Sequence, residues 1–288
     1  MKFSVFTASV PDWEPAEAAR RIAAIGYDGV EWRITDQEEA EPPGFWAGNR
    51  ATWPLTGLEQ VVPEIARVTR EAGLEFSGIG GYAPASDRDD ALRMLRATAE
   101  LGARQVRMRI PSTDLLQEGY QAVFDRTRTD LEWAAAEAGR LGVKVLIELH
   151  HQTITSSASA ARRLVDGLDP GTIGVIHDLG NLVIEGQEDT HAGLQLLGEY
   201  LAHVHVKNAT WQRTGEIGVD GDVRWESAWA TLRAGIASVP DYFRALAEVG
   251  YDGWVTLEDF STEAPLEERL IDDLAFLRAS ADAAGIGS

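Results

Sequence analysis

The sequence predicts a single (β/α)8 TIM barrel, an α/β fold in which eight parallel strands alternate with eight helices, and three observations lead to this prediction. Short β-branched runs alternate with helix-period stretches along the whole chain. Glycines directly follow most of the helix-period stretches, as helix-ending glycines do. The 288 residues contain no composition break, so we expect one barrel domain over residues 1–288.

The individual elements follow from the spacing of apolar residues. Ile22 and Ile25, for example, share one face of the first helix, which Gly26 ends. The strands are predicted at 2–7, 27–33, 74–80, 105–110, 143–149, 172–177, 201–206 and 254–257. The helices are predicted at 15–25, 57–72, 86–101, 120–141, 156–168, 191–200, 240–249 and 263–284.

The connections carry two further signals. Gly-Tyr-Asp-Gly occurs at 26–29 and again at 250–253, each time between a helix and a strand, which supports a regular repeat. The connection after the second strand and the one at 207–238 are long, and loops beyond about 15 residues usually cover a site or are disordered. Trp46, Trp53 and Trp211 in these connections favour covering, because aromatic faces can pack on a ligand and exclude water.

Composition excludes several classes of function. The net charge of −20 and the pI near 4.6 argue against nucleic-acid binding, which needs clustered lysine and arginine. The sequence has no cysteine, and therefore no disulfide framework or thiolate chemistry. The first residues enter a strand without a signal peptide, and no apolar run approaches the ~20 residues that cross a bilayer. We therefore expect a cytoplasmic protein without membrane or nucleic-acid partners.

Acidic and imidazole side chains stand at the carboxyl ends of the last four predicted strands. These residues are Glu148, Asp178, His205 and Glu258. Strand ends converge on the axis of a barrel, so the four side chains become neighbours. Three carboxylates so close together need a cation, and Mn²⁺, Mg²⁺, Co²⁺ or Zn²⁺ accepts carboxylate and imidazole ligands. The alternative is that these acids merely mark the points where loops begin.

Five segments make the chain similar to the sugar isomerase/epimerase-like barrels of the xylose isomerase-like superfamily. They are Gly-Tyr-Asp-Gly-Val-Glu31, Leu-Ile-Glu148-Leu-His150, Val-Ile-His-Asp178-Leu-Gly-Asn181, His203-Val-His205-Val-Lys207 and Gly-Tyr-Asp-Gly-Trp-Val-Thr-Leu-Glu258. The resemblance covers nearly the whole chain and depends on the order and spacing of all five segments. It implies a divalent ion held by the same four residues. It also implies that Glu148 and Glu258 are the catalytic residues that shuttle a proton.

The chain departs from the ketose epimerases of this superfamily at three substrate-binding positions. Asn181 stands where those enzymes have a histidine, Ile154 where they have a second glutamate, and Trp211 where they have an arginine. The resemblance therefore carries over the metal ligands but not the epimerase substrate set. A homodimer or tetramer is the usual expectation for such barrels, although no segment of this sequence specifies it.

Seven further residues are candidates for substrate binding. Lys207 and His150 share the inward parity of the neighbouring metal-ligand candidates. Inward charges on the second and fourth strands hold either a substrate or a buried ion pair. The candidates are Lys207, His150, Asn181, Glu31, Arg109, Trp46 and Trp211. The remaining strand histidines are expected to be structural, with His203 one pleat below His205 and His177 facing the helices.

Together these residues predict a metal-dependent isomerase or epimerase that acts on a small sugar or keto-sugar. A cation that binds a carbonyl and an adjacent hydroxyl acidifies the α-hydrogen, and a carboxylate then removes it to give an enediolate. Returning the proton gives isomerisation or epimerisation. Expelling a β-hydroxyl gives dehydration instead, so a lyase acting on an inosose-like or keto-acid substrate is the alternative. A sugar-binding barrel without catalysis is a further alternative.

Overall fold

Eight parallel strands close into a barrel in the computed structural model, which describes residues 1–186 and 188–287, with the side chains of 114–116 excepted. The barrel strands are β1 (Lys2–Phe6), β2 (Gly29–Ile34), β4 (Glu75–Gly81), β5 (Gln105–Arg107), β6 (Lys144–Glu148), β7 (Ile173–Asp178), β8 (Leu201–Val206) and β11 (Trp254–Leu257). They lie in chain order around the axis, and parallel pairing of β1 with both β2 and β11 closes the ring. The predicted (β/α)8 barrel is therefore confirmed.

Helices surround this ring. They are α1 (Pro15–Ile25), α2 (Leu58–Glu71), α3 (Arg88–Leu101), α4 (Tyr120–Leu141), α5 (Ala158–Val165), α6 (Leu179–Glu185), α7 (Thr190–Leu197), α8 (Val239–Glu248) and α9 (Leu266–Ala283). Gly26 and Gly142 end α1 and α4 in the left-handed region, at φ of 109° and 71°, where a side chain would be strained. Within the described residues, no helix is long and apolar enough to cross a membrane.

The region after β7 differs from the prediction. The sequence pattern predicted one helix at 191–200, but α6 begins directly after Asp178 and α7 follows it. Asp178 is the N-cap of α6, because its Oδ1 accepts a hydrogen bond of 2.9 Å from the backbone N–H of Asn181. The sequence signal for α6 was an aspartate followed by the apolar run 182–184. The pattern did not reveal the helix, because the helix is too short to show a clear period.

The long connection at 207–238 also contains structure that the sequence analysis did not assign. Strands β9 (Asn208–Ile217) and β10 (Val223–Ala230) form an antiparallel hairpin in which Trp211 faces Ser227 and Trp229 faces Ala209. The outer part of the hairpin is exposed, whereas Ala209 and Ala230 at its base are buried. The base of the hairpin therefore lies beside the carboxyl end of the barrel.

The first long connection contributes a short strand and fixes two tryptophans in different places. Strand β3 (Thr52–Trp53) extends the sheet beside β2, and Trp53 is buried with its ring edge-on to Trp32 at 5.8 Å. Trp53 is thus a core residue. Trp46, in contrast, remains half exposed above the carboxyl end of the barrel.

A glycine on β4, Gly80, leaves room for an aromatic side chain inside the barrel. A Cβ on Gly80 would lie 2.2 Å from a ring carbon of Phe6, so only glycine leaves room for this phenylalanine. The Phe6 ring in turn stacks on the imidazole of His205 at a centroid distance of 6.0 Å. Packing inside the barrel therefore fixes one face of a candidate ligand.

A buried pair of acids in the outer layer makes the stability of the fold depend on pH. Asp273 of α9 and Asp259, which follows β11, are both buried, and Asp259 accepts a 2.6 Å hydrogen bond from Arg269. Burial, followed by the charges of Asp259 and Asp272, raises the pKa of Asp273 to about 8. The folded state thus holds this proton in a pH range where the unfolded chain releases it.

Asp273→Asn is expected to stabilise the fold increasingly as the pH rises. The raised pKa makes the contribution of Asp273 complete below pH ~4, and this contribution is lost as the pH rises towards ~8. The free energy of unfolding of the variant should therefore exceed that of the wild type by on the order of 2 kcal/mol at pH ~8, and by less at pH ~5. Urea denaturation at both pH values measures the difference. Glu64→Gln, which removes an exposed partner of Arg67 on α2, serves as the control, and a difference that does not grow with pH would contradict the expectation.

Candidate metal centre

The carboxyl ends of β6, β7, β8 and β11 bring four polar side chains together. Glu148 and Asp178 are the last residues of β6 and β7, and Asp178 is the direct neighbour of His205 on β8. Glu258 follows β11 and extends its ladder, because its N–H donates a 3.0 Å hydrogen bond to the carbonyl of Val206. All four side chains are buried, and their nearest ligand atoms lie within 4.8 Å of one another.

The Nδ1 atom of His205 lies at the centre of this cluster. It is 3.1 Å from Glu258 Oε1, 3.4 Å from Glu148 Oε1 and 3.8 Å from Asp178 Oδ2. Despite this proximity, the buried Nδ1 makes no hydrogen bond to any described residue. A nitrogen that faces three carboxylates without a hydrogen bond is arranged as a ligand would be around a shared cation.

Glu31 fixes the other side of the His205 ring. Its Oε2 lies 3.1 Å from His205 Nε2 and 2.8 Å from His203 Nε2, and all three side chains are buried. Burial alone would raise the pKa of Glu31, but the charge of His205 and the hydrogen bonds of both imidazoles lower it overall. An ionised Glu31 accepts the Nε2–H of His205, so a neutral His205 directs the lone pair of Nδ1 at the cluster. Without a cation, burial lowers the pKa of His205, but the charges of Glu31 and Glu258 raise it well above its usual value, and a bound metal ion would take the place of a proton on Nδ1.

Two buried cations flank the carboxylates. Lys207 Nζ contacts Asp178 Oδ2 and Glu258 Oε2, and it lies 3.9 Å from Glu148 Oε1. Arg107 donates from Nη1 to Glu148 Oε2 at 2.6 Å. A Cβ on Gly180 would lie 2.4 Å from the Lys207 side chain, so the glycine at the start of α6 makes room for the lysine.

The charges of these groups leave the cluster short of positive charge. Burial would raise the pKa of Glu258, yet Lys207 and then His205 hold it at about 2. Asp178 has the opposite balance: burial, together with the charges of Glu258 and Glu148, raises its pKa to about 8 although Lys207 opposes the shift. The three carboxylates are therefore not all ionised at neutral pH without a further cation. Three carboxylates and one free imidazole nitrogen fit a divalent metal ion.

The remaining substrate-binding candidates lie at different distances from this cluster. Asn181 is close, since its Nδ2 donates to Glu148 Oε1 at 3.3 Å and its Oδ1 lies 2.9 Å from His151 Nδ1. His150 stacks on His151 at 4.4 Å. The indole N–H of Trp211 donates to the carbonyl of Val183 at 3.0 Å, at the edge of the hairpin.

The fourth strand of the barrel presents a different arginine from the one the sequence favoured. Arg109 is exposed and makes a backbone bridge to Pro84, whereas Arg107 is buried against Glu148. Both arginines have inward parity, and the sequence offers no signal to choose between them. The choice depends on where β5 ends, because the regular strand stops at Arg107 rather than at 110 as predicted.

Aromatic rings close the carboxyl end of the barrel above the cluster. The ring of Phe260 lies 4.8 Å from Trp46, 5.1 Å from Phe45 and 5.6 Å from Trp229. Lys207 Nζ is 5.6 Å from the Trp229 ring and 5.8 Å from the Phe260 ring, so this aromatic cover also lies against the lysine. Phe260 and Trp229 were not among the predicted site residues, because a lone aromatic next to a strand end usually indicates packing.

Known proteins resemble this chain over different lengths. A 146-residue segment is 27% identical to inosose dehydratase of Lacticaseibacillus casei, which covers 47% of this chain and 46% of that protein. The chain thus spans about half the length of the curated relatives it matches.

Two solved structures share the fold over almost the whole chain. The apo 3-keto-D-glucoside 4-epimerase of E. coli has a TM-score of 0.68 at 19% identity, covering 97% of this chain and 99% of its own. A xylose isomerase-like TIM barrel protein of Mycobacterium smegmatis in complex with magnesium has a TM-score of 0.70 at 17% identity, covering 98% and 97%. The model of the xylose isomerase-like TIM barrel family matches residues 19–280, and the chain therefore belongs to that family.

Proposed function

We propose that this protein is a divalent-metal-dependent enzyme that removes the proton next to the carbonyl group of a sugar-like substrate. The observation that carries the proposal is His205 Nδ1, which is buried without a hydrogen bond among three carboxylates. Glu148, Asp178, His205 and Glu258 would hold the cation. When bound, a divalent cation supplies positive charge that polarises a carbonyl and stabilises the negative charge that develops after proton removal.

Different residues around the cluster would act as the base and as the acid. Arg107 is paired with Glu148, and a guanidinium does not release its proton near neutral pH, so Glu148 stays ionised and can accept a proton. Burial would lower the pKa of Lys207, but Asp178 and Glu258 raise it overall, so Lys207 is protonated before substrate binds. A cation on these carboxylates would weaken their hold on the ammonium group and allow it to donate a proton. The two glutamates are thus held by cations of different chemistry.

This difference favours dehydration over epimerisation as the second half of the reaction. Epimerisation needs two comparable groups that exchange one proton from opposite sides of a carbon. Dehydration needs a base for the carbon-bound proton and an acid for the departing hydroxyl, which are the roles that Glu148 and Lys207 can take. The similarity of half of the chain to inosose dehydratases supports the same choice. Isomerisation or epimerisation of a keto-sugar remains the second candidate, supported by the symmetric placement of Glu148 and Glu258 around His205.

The aromatic cover gives the proposed reaction a dry site. Phe260, Trp229 and Trp46 lie over the cluster, and Glu148 is only 5% exposed. Exclusion of water strengthens the interactions between charged residues and substrate. Entry of a substrate therefore requires the cover to move, and the half-exposed Trp46 on the long connection after β2 is the member with the least packing.

Removal of a carboxylate from the cluster should weaken metal binding. Glu148→Gln and Asp178→Asn are each expected to raise the Kd for Mn²⁺ by about 100-fold or more. Asparagine keeps an amide oxygen that can still cap α6, so Asp178→Asn tests the charge rather than the helix. Calorimetric titration of the metal-stripped protein measures the affinity. Glu75→Gln, at the opposite end of the barrel, is the control, and unchanged affinity in both site variants would refute the metal centre.

Glu31 is expected to act on the metal through the orientation of His205. In Glu31→Gln an amide can replace the carboxylate and donate to His205 Nε2, which moves the ring proton to Nδ1 and blocks it as a ligand. We expect the affinity for Mn²⁺ to fall by about 10–100-fold. Thr127→Val is the matched control, since it removes a buried hydroxyl that donates at 2.8 Å to the carbonyl of Val123 within α4. An affinity loss equal in both variants would indicate general disturbance of the barrel instead.

The two candidate reactions differ in product mass. With Mn²⁺ in deuterated water, incubation with cyclic polyol ketones and ketoses should yield a product that has lost water, as detected by mass spectrometry. Lys207→Met should slow this loss by about 100-fold or more while deuterium still exchanges into recovered substrate, because the acid is removed whereas the base Glu148 keeps its partner Arg107. Lys207→Arg, which keeps the charge, shows whether charge alone suffices. A deuterated product of otherwise unchanged mass would establish isomerisation or epimerisation in place of dehydration.

A further inference from the structure

Arg33 is a buried cation whose partners carry no charge. It lies on β2 two residues beyond Glu31, on the same inward face, and is 4% exposed. Its guanidinium donates to Gln37 Oε1 and Thr52 Oγ1 at 2.9 Å, and to the carbonyl of Trp46 at 3.2 Å. These acceptors are all neutral, and Arg33 Nε has no hydrogen-bond partner among the described residues.

Burial of the charged Arg33 side chain is energetically unfavourable unless an anion binds to it. Burial of a charged group without a counter-charge is strongly unfavourable. Neutral acceptors offset part of this penalty, but they leave the charge itself uncompensated. The contacts with Gln37 and Thr52 also hold the long connection after β2, so Arg33 stabilises that segment. Holding this connection does not explain why the Nε–H of Arg33 is left without an acceptor among the described residues.

Arg107 presents a second unpaired donor, and it lies against the same tyrosine ring as Arg33. It is 7% exposed, and its Nε and Nη1 are bonded to the carbonyl of Gly81 and to Glu148, but its Nη2 is buried without a partner. The guanidinium carbons of Arg33 and Arg107 lie 5.2 Å and 4.5 Å from the centroid of the same ring, that of Tyr82. Two incompletely satisfied guanidinium groups therefore flank one tyrosine beside the carboxylate cluster.

The balance of buried charges inside this end of the barrel also indicates an anionic ligand. The groups are four carboxylates and three cations, namely Glu31, Glu148, Asp178, Glu258, Arg33, Arg107 and Lys207. With a divalent cation bound, all four carboxylates ionised and His205 neutral as a ligand, these groups would carry one positive charge in excess. A negatively charged ligand offsets this excess, and a buried site favours such compensation.

We propose that the substrate carries an anionic group, a carboxylate or a phosphate, that accepts hydrogen bonds from Arg33 Nε and Arg107 Nη2. This inference rests on the proposed function in that it takes the sugar-like substrate to enter beside the metal cluster. It narrows the substrate class to acidic sugars or sugar phosphates. Guanidinium groups suit both anions, because their planar N–H groups match carboxylate and phosphate oxygens.

Three ligands that differ at one carbon test the proposal. D-fructose, D-fructuronate and D-fructose 6-phosphate share a ketohexose skeleton and carry a hydroxymethyl, a carboxylate and a phosphate ester. Calorimetric titration of the Mn²⁺-loaded protein at constant ionic strength gives each Kd. We expect at least one anionic ligand to bind about tenfold or more tightly than D-fructose, and the arm that does so distinguishes carboxylate from phosphate. Failure of both anions to exceed D-fructose, including the absence of any binding, would overturn the proposal.

Variants of Arg33 then distinguish its role in anion binding from its role in holding the long connection after β2. Arg33→Gln should reduce the preference for the anion to less than about threefold while the Kd for D-fructose changes by less than about twofold. Arg50→Gln, in the same connection but exposed and opposite Glu41, is the matched control and should keep the full preference. A preference that persists in Arg33→Gln contradicts the assignment. If Arg33→Gln does not fold, the wild-type comparison and Arg33→Lys, which keeps the charge but loses Nε, still decide the matter.

The outcomes also distinguish this inference from the proposed function. If Glu148→Gln abolishes Mn²⁺ binding and D-fructose binds as tightly as its anionic counterparts, the metal centre stands and the anion site fails. If Mn²⁺ binds equally to wild type and Glu148→Gln, the proposed function fails whatever the ligand preference.

Discussion

The imidazole of His205 is the group on which the arrangement of the site depends. One nitrogen is held by the ionised Glu31, and the other faces three carboxylates without a hydrogen bond. Phe6 packs on the ring face, and the absence of a side chain at Gly80 gives Phe6 its place. A hydrogen bond and a packing contact therefore fix the orientation of the ring, and with it the direction of Nδ1, before any ligand arrives, which is the condition for a preorganised site.

The same cluster couples chemistry to the fold through Asp178. This residue ends β7, caps α6 through Oδ1 and contacts Lys207 through Oδ2. Because the cap fixes one oxygen, the other is directed at the cluster. Gly180, in the first turn of α6, approaches Lys207 closely. The turn of helix that Asp178 caps therefore also packs against the lysine side chain. The short helix thus belongs to the site as much as to the outer layer of the barrel.

Charge inside the barrel is balanced in two layers. Near the cluster, Arg107 and Lys207 each pair with a carboxylate, so their charges are largely compensated. Further out, Arg33 is held by neutral acceptors and by the rings of Tyr82 and Trp46. The difference in partners explains why we assign Lys207 to acid–base work, and Arg33 with the unpaired Nη2 of Arg107 to recognition of a charged group.

The sequence by itself determined the barrel and the four polar strand ends, because strand alternation and helix-ending glycines are local signals and because parallel strands converge at one end. Parity also placed Lys207 and Glu31 on the inward faces of their strands. Tertiary structure alone decided that Glu31 lies behind His205, that Arg107 rather than Arg109 contacts Glu148, and that Phe260 and Trp229 close the end of the barrel. The physical reason is that a two-residue period fixes the face of a strand, whereas the height of a side chain along the axis and its partner across the barrel depend on how all eight strands close.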